Sequence, residues 1–240
     1  MSKLAPRNAT VRIVDADCDP YVIKRYHATF TAVAEHHAYT RMQPLCAAIP
    51  GVRTAKIIQV DAVMDTLRLE FIPGTSLYES VCQGHIRLLH IWRDSLLQLF
   101  FAAKNNNIYF DADPSNFIIH ENGRELVVID PVCKPVDLED YALVVFLWGL
   151  FKIMLRSVRV WHIGEIFGVI MDYSLHYRKI TGSRSDALRM QMGQYIHQVI
   201  AWNRESSPVD GPLTTALRRG VVIPTFTLIQ WLLKKGWVKI

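Results

Sequence analysis

The sequence predicts an α+β fold: a small β-rich lobe over residues 1–72, then a larger and mainly helical lobe over residues 73–240. Three observations lead there. The first seventy residues are dominated by short runs rich in β-branched residues. The apolar spacing then changes to the three-to-four period of helices. Between the two, "IPGTSL" at 72–77 supplies the Pro and Gly of a connector. With 240 residues, half of them hydrophobic, the chain is long enough to bury a sizeable core as one large domain or two small lobes.

In chain order, "TVRIV" (10–14), "YVIKRY" (21–26), "AKIIQVD" (55–61) and "TLRLEFI" (66–72) read as strands. "TAVAEHHAYTRM" (31–42) is the one helical stretch among them. Beyond the connector, "HIRLLHIWRDSLLQLFFAAK" (85–104) spaces its apolar residues for a single helix, which the polar run Asn105, Asn106 and Asn107 ends. "FII" and "LVVI" flank the turn signal "ENGRE" (121–125) and so form a hairpin. Helical patterns follow at 138–156, 163–178, 185–203 and 225–235, with "SSPVDGP" (206–212) a loop. The longest apolar run, "YALVVFLWGLF" (141–151), stops at Lys152, well below the ~20 residues of a membrane span, and reads as a buried helix.

The net charge of +5 is confined to the end of the chain. Asp210 is the last acid, and Arg218, Arg219, Lys234, Lys235 and Lys239 follow it. The body is therefore balanced, and no nucleic-acid footprint is spread over it. Cys18, Cys46, Cys82 and Cys133 are far apart and form no CxxC pair, which suggests neither a zinc site nor a disulfide framework. Lys3 and Arg7 lead to Asp15 and Asp17 with no apolar segment of the secretory type, so a cytoplasmic protein is expected. The tail "TFTLIQWLLKKGWVKI" suits a terminal helix whose lysines reach water while its apolar side packs on the lobe. Its other reading is peripheral contact of residues 226–240 with anionic membrane at the inner face.

The segment "YFDADPSNFIIHENGRELVVIDP" (109–131) places Asp111 and Asn116 before one strand and Asp130 after the next. Each alone is an ordinary turn former. Together they match what phosphoryl transfer asks of a protein: a carboxylate to meet the acceptor hydroxyl, hard oxygen ligands for Mg²⁺, and a cation on the nucleotide phosphates. Asp111 is the candidate base, and Asn116 and Asp130 are the candidate metal ligands. Lys24 ends "YVIK", a strand of V-x-I-K type, and Glu35 in the helical stretch is the sole glutamate before Glu70, which makes these two the candidate ion pair. Asp113 is either a second carboxylate facing the acceptor or a turn former. Asp137 and Asp140 suit the positive end of the next helix. The nine histidines show no HExxH spacing.

Taken in order, these residues resemble the protein-kinase-like superfamily, specifically its aminoglycoside-phosphotransferase and sugar-kinase branch of lipopolysaccharide-core type. The catalytic loop of that branch reads roughly H-G-D-x-H-P-x-N before an apolar strand, and "YFDADPSNFII" matches at Asp111, Pro114 and Asn116. "VVIDP" resembles the I-D-P of fructosamine-kinase-like enzymes. The resemblance covers about residues 10–150 and implies a bilobal protein-kinase-like fold, ATP as donor and Mg²⁺ as cofactor. It implies Asp111 as base, Asn116 and Asp130 as metal ligands, and Lys24 with Glu35 as the phosphate-gripping pair. "LEFIPGTSL" resembles the strand and hinge that cup the adenine, which puts Glu70 and Ile72 at the nucleotide. Asp140 resembles the aspartate that supports the catalytic loop. Three departures stand out: no glycine precedes Gly51, so there is no Gly-rich loop; Tyr109 and Asp113 stand where the family has histidines; and Pro131-Val132 follows the metal acid.

The expected function is ATP- and Mg²⁺-dependent transfer of phosphate to a hydroxyl of a small molecule or sugar, a bacterial envelope glycolipid among the candidates. Between Asp130 and the helix near Leu138 lies only "PVCKPVD", with no Ser or Thr and no room for a long activation segment, which favours such an acceptor over a protein. The rival readings are a compact protein Ser/Thr kinase of effector or toxin type and a pseudokinase scaffold.

Overall fold

The computed structural model describes residues 9–15, 20–27, 31–132, 138–156 and 160–204. Strands β1 (Ala9–Val14) and β2 (Tyr21–Tyr26) pair antiparallel, from Ala9 opposite Tyr26 to Val14 opposite Tyr21. Helix α1 (Ala32–Ala47) starts at Thr31, whose side chain accepts from the Ala34 N–H at 3.1 Å and satisfies one of the first-turn donors. The helix continues five residues past the expected end at Met42, through Pro44. An interior proline costs about 3 kcal/mol. Burial of Met42 and Cys46 in the larger core offsets that cost.

Next come β3 (Val52–Thr54), β4 (Ile57–Asp61) and β5 (Thr66–Glu70). The first sheet has the order β1-β2-β5-β4 with every pair antiparallel and an irregularity between Ile57 and Gln59. The presumed connector is itself built: Gly74–Ser76 forms β6, and Ser76 caps α2 (Leu77–Cys82) by accepting from the Glu79 N–H at 3.1 Å. The expected single helix over 85–104 divides into α3 (Arg87–Ile91) and α4 (Arg93–Asn105) at Trp92, whose ring is buried beside Gly51. A 3₁₀ turn at Pro114–Asn116 leads into β7 (Phe117–His120), and β8 (Leu126–Val128) completes the hairpin. The C-terminal region is helical: α5 (Tyr141–Arg156), α6 (Val160–Thr181) and α7 (Ser185–Arg204). The expected loop at 206–212, the helix at 225–235 and the basic tail lie outside the described residues, as do Cys18, Cys133 and Asp137.

The second sheet has the order β3-β8-β7-β6, in which β3 runs parallel to β8. The short strand β3, unmarked in the sequence pattern, thus carries a pairing made across roughly seventy residues of chain. Strand β8 also divides the interior. Leu126 and Val128 face the larger core with α4 and α5, while Val127 on the alternate face joins the smaller core with Tyr39, Leu67 and Leu69. Helix α1 does the same along its length: Ala32 and Tyr39 lie in the smaller core, Met42 and Cys46 in the larger. The architecture is α+β, with both sheets before residue 129 and a helical C-terminal region.

Candidate active site

Lys24 and Tyr26 lie on the face of β2 turned toward α1, and both are buried. Lys24 Nζ lies 2.6 Å from Glu35 Oε1 and 3.3 Å from Asp130 Oδ1, while the Tyr26 hydroxyl donates to the second oxygen of Glu35. Burial alone would lower the Lys24 pKa, but the neighbouring Asp130 and Glu35 carboxylates outweigh it and hold the ammonium above its ordinary value. Burial drives the Glu35 carboxyl upward against the pull of that same ammonium. One turn on from Glu35, the Tyr39 hydroxyl accepts the Asp130 backbone N–H at 3.1 Å. Asp130 has φ +52°, a left-handed conformation that aspartate adopts more readily than most residues. Two positions on α1 therefore act on both ends of the arrangement, one holding the lysine and the other the backbone of Asp130.

The loop before β7 is tied together from within. Asp111 Oδ1 accepts the Asp113 N–H at 3.2 Å, and Asn116 Nδ2 donates to the Asp111 carbonyl at 3.1 Å. Asp113 caps the 3₁₀ turn, with Oδ1 accepting from Ser115 N at 3.1 Å and from Ser115 Oγ at 2.8 Å. Its other oxygen, Oδ2, pairs with Lys152 of α5. Asp113 thus caps the turn with one oxygen and faces a lysine with the other. The close approach of α5 depends on Gly149, where a Cβ would overlap the Pro114 ring. The Ile129 N–H donates to the Asn116 carbonyl at 2.8 Å and fastens the loop to the end of β8.

The electrostatics of the two loop acids diverge. Burial, then the charge of Asp113, pushes the Asp111 carboxyl up to about 7, with the Asp113 N–H and Lys152 acting the other way. Burial would raise Asp113 as well, but the Lys152 ammonium and the two Ser115 bonds hold it below the usual carboxylate range. Carboxylates driven apart in this way are suited to different tasks, one to exchanging a proton and one to holding a charge.

Among the described residues no group of three His, Cys, Asp or Glu side chains could hold a metal ion by itself. Mg²⁺ needs less than that, since it commonly takes one or two protein ligands together with phosphate oxygens and water. The Asp130 side chain is 47 % exposed, and the Asn116 nitrogen is committed to the loop, which leaves its oxygen for a cation. The donor set fits a hard cation completed by phosphate.

The remaining predicted residues are placed as follows. The Glu70 carboxylate is taken by Arg53 and by the Lys56 N–H at 2.6 Å, and Ile72 is half-buried against the smaller core. Where the resemblance implies that Asp140 supports the catalytic loop, the structure ties it to the helices instead. Lys104, Tyr177 and Gln191 each donate to its carboxylate at 2.9 Å, and its own N–H donates to Gln191 Oε1 at 2.7 Å. Sequence reasoning missed Tyr26, Tyr39, Gly149 and Lys152. The usable signal was Lys152, the sole charge between residues 141 and 154. No helix among the described residues is long and apolar enough to cross a membrane. The chain matches no protein-family model and no curated protein.

Proposed function

We propose that the protein is an ATP- and Mg²⁺-dependent phosphotransferase that acts on a hydroxyl of a small molecule or sugar. The observation that carries this reading is the convergence of Lys24, Glu35 and Asp130, drawn from a strand, a helix and the end of a distant hairpin, with the ammonium in contact with both carboxylates. A buried lysine paired only for stability needs one carboxylate, and replacing such a pair with apolar residues is often neutral or stabilising. A lysine shared with a half-exposed acid is poised to exchange that acid for phosphate oxygens.

In this reading Lys24 grips the nucleotide phosphates and Glu35, steadied by Tyr26, aims it. Asp130 and Asn116 hold Mg²⁺, which supplies charge neutralisation at the phosphates. Asp111, with its pKa pushed up to about 7, is matched to taking the acceptor's proton near neutrality. The short stretch between Ile129 and Leu138 leaves a small acceptor as the fitting substrate, as its lack of Ser and Thr suggests.

The test is calorimetric titration with ATP, with and without Mg²⁺, on the wild type and on Asp130→Asn. Magnesium-dependent binding that the substitution weakens about tenfold or more is expected. A folded wild-type protein that binds no ATP in either condition sinks the reading and leaves the hairpin acids as turn formers.

A further inference from the structure

We propose that Lys152 is a second phosphate-binding cation, which donates to the phosphoryl group in transit, with Asp113 as the counter-charge that keeps it in position. This rests on the phosphotransferase reading above. The observation is an anomaly of composition resolved by geometry. Helix α5 is apolar at every position from Tyr141 to Met154 except Lys152, and its side chains are otherwise almost wholly buried. A charge in such a helix costs stability unless something pays it back by pairing. Lys152 finds its partner in Asp113, two residues from the candidate base.

The helix is shaped for that contact. Gly149 lies one turn before Lys152 and lets the α5 backbone press against Pro114, so the 3₁₀ turn and the lysine are brought together by the same close approach. The ammonium is near enough to Asp111 to favour its ionised form. It is also 32 % exposed, so it keeps access to a ligand.

The sequence supplies the need. No glycine precedes Gly51, so the N-terminal strands lack the Gly-rich loop whose backbone N–H groups would cradle phosphates. Lys24 is already shared between Glu35 and Asp130. Charge that spreads over the equatorial oxygens during transfer then calls for another donor. In the step itself the acceptor oxygen bonds to the γ-phosphorus as the bridging P–O bond to ADP breaks. The bonding electrons leave with ADP, and the acceptor's proton passes to Asp111. Lys152 forms no covalent bond and loses no proton; its N–H groups donate to the non-bridging oxygens.

The experiment compares two probes on the full chain in Mg²⁺: ATP, and ADP with aluminium fluoride, which mimics the flattened phosphoryl group. Wild type is expected to bind the fluoroaluminate complex more tightly than ATP. Lys152→Met is expected to lose about tenfold or more of that preference while its ATP affinity stays within about threefold, and Lys152→Arg to recover part of it. Equal loss for both probes, or an unchanged preference, overturns the proposal. Should Lys152→Met not fold, Asp113→Asn decides. Its amide oxygen keeps the Ser115 cap while removing the counter-charge that positions the lysine, so the preference should fall severalfold with ATP affinity within about threefold, and an unchanged preference, or an equal loss for both probes, would overturn the proposal. A wild type that binds ATP but shows no preference refutes this inference alone; one that binds no ATP refutes the underlying reading as well.

Discussion

Asp111 and Asp113 stand two positions apart and are pushed in opposite directions, so their protonation states make separate tests. The Asp111 pKa in the fold, about 7, lies above the ordinary carboxylate value near ~4. Between those pH values the folded state keeps a proton that the unfolded chain has released. The contribution of Asp111 to stability therefore falls as pH rises through this window and levels off above about 7. Asn carries no charge at any pH. The gain in melting temperature from Asp111→Asn, measured with a chelator present, should then be larger at pH 8 than at pH 5; an equal gain at both would show that Asp111 is ionised throughout. On the proposed phosphotransferase reading, the same variant should leave ATP binding largely intact and suppress transfer. At Glu35, replacement by Ala leaves Lys24 buried with Asp130 as its remaining carboxylate and should destabilise the fold by about 3–5 kcal/mol, read from denaturant unfolding. Asp111, Asn116 and Asp130 were legible because side-chain type and spacing reveal them. Tyr39 and Lys152 were not, since their partners are set by how helices lie against the loop.

Helix α5 makes its close approach to the 3₁₀ turn because one of its residues has a hydrogen atom for a side chain. Gly149→Ala should destabilise by about 1–3 kcal/mol, because a methyl group there must displace Pro114 or the helix. Gly168 in α6 is a natural control: nothing lies within 4 Å of a Cβ built there, and Ala should stabilise by about 0.5–1 kcal/mol. Thermal unfolding of both variants reports the difference, and equal effects would mean that the approach of α5 to the turn is not tight. At this scale the sequence was informative where the pattern is strong or a turn signal brackets it, as for β2, the β7–β8 hairpin and α5 to α7. It was silent for β3 and β6, three-residue strands that exist only because a partner strand offers them hydrogen bonds. The run 85–104 misled because its helical spacing continues across Trp92, where the demand to bury a large ring beside Gly51 sets the break.

Across the whole molecule, the two cores divide the chain differently from the connector at 72–77. Met42, Cys46, Ile49 and Val52 precede the connector yet pack with α4 and α5, which follow it. Fragments 1–72 and 73–240 should accordingly lack cooperative melting when made separately, and a sharp transition in the isolated 1–72 fragment would contradict this. In the intact chain, fluorescence of Trp92 and Trp148 should report the same midpoint as far-ultraviolet circular dichroism. The parallel pairing of Val52 with Leu126 also sets a schedule for a chain made from its N-terminus. At ~5–20 residues per second, the roughly seventy residues between these strands take about 4–14 s to synthesise. Until α4 and then β8 follow, the C-terminal end of α1 emerges without its packing partners. The nascent chain should thus be most exposed to aggregation before the loop at 111–116 has been translated, and slower translation is expected to lower its soluble yield.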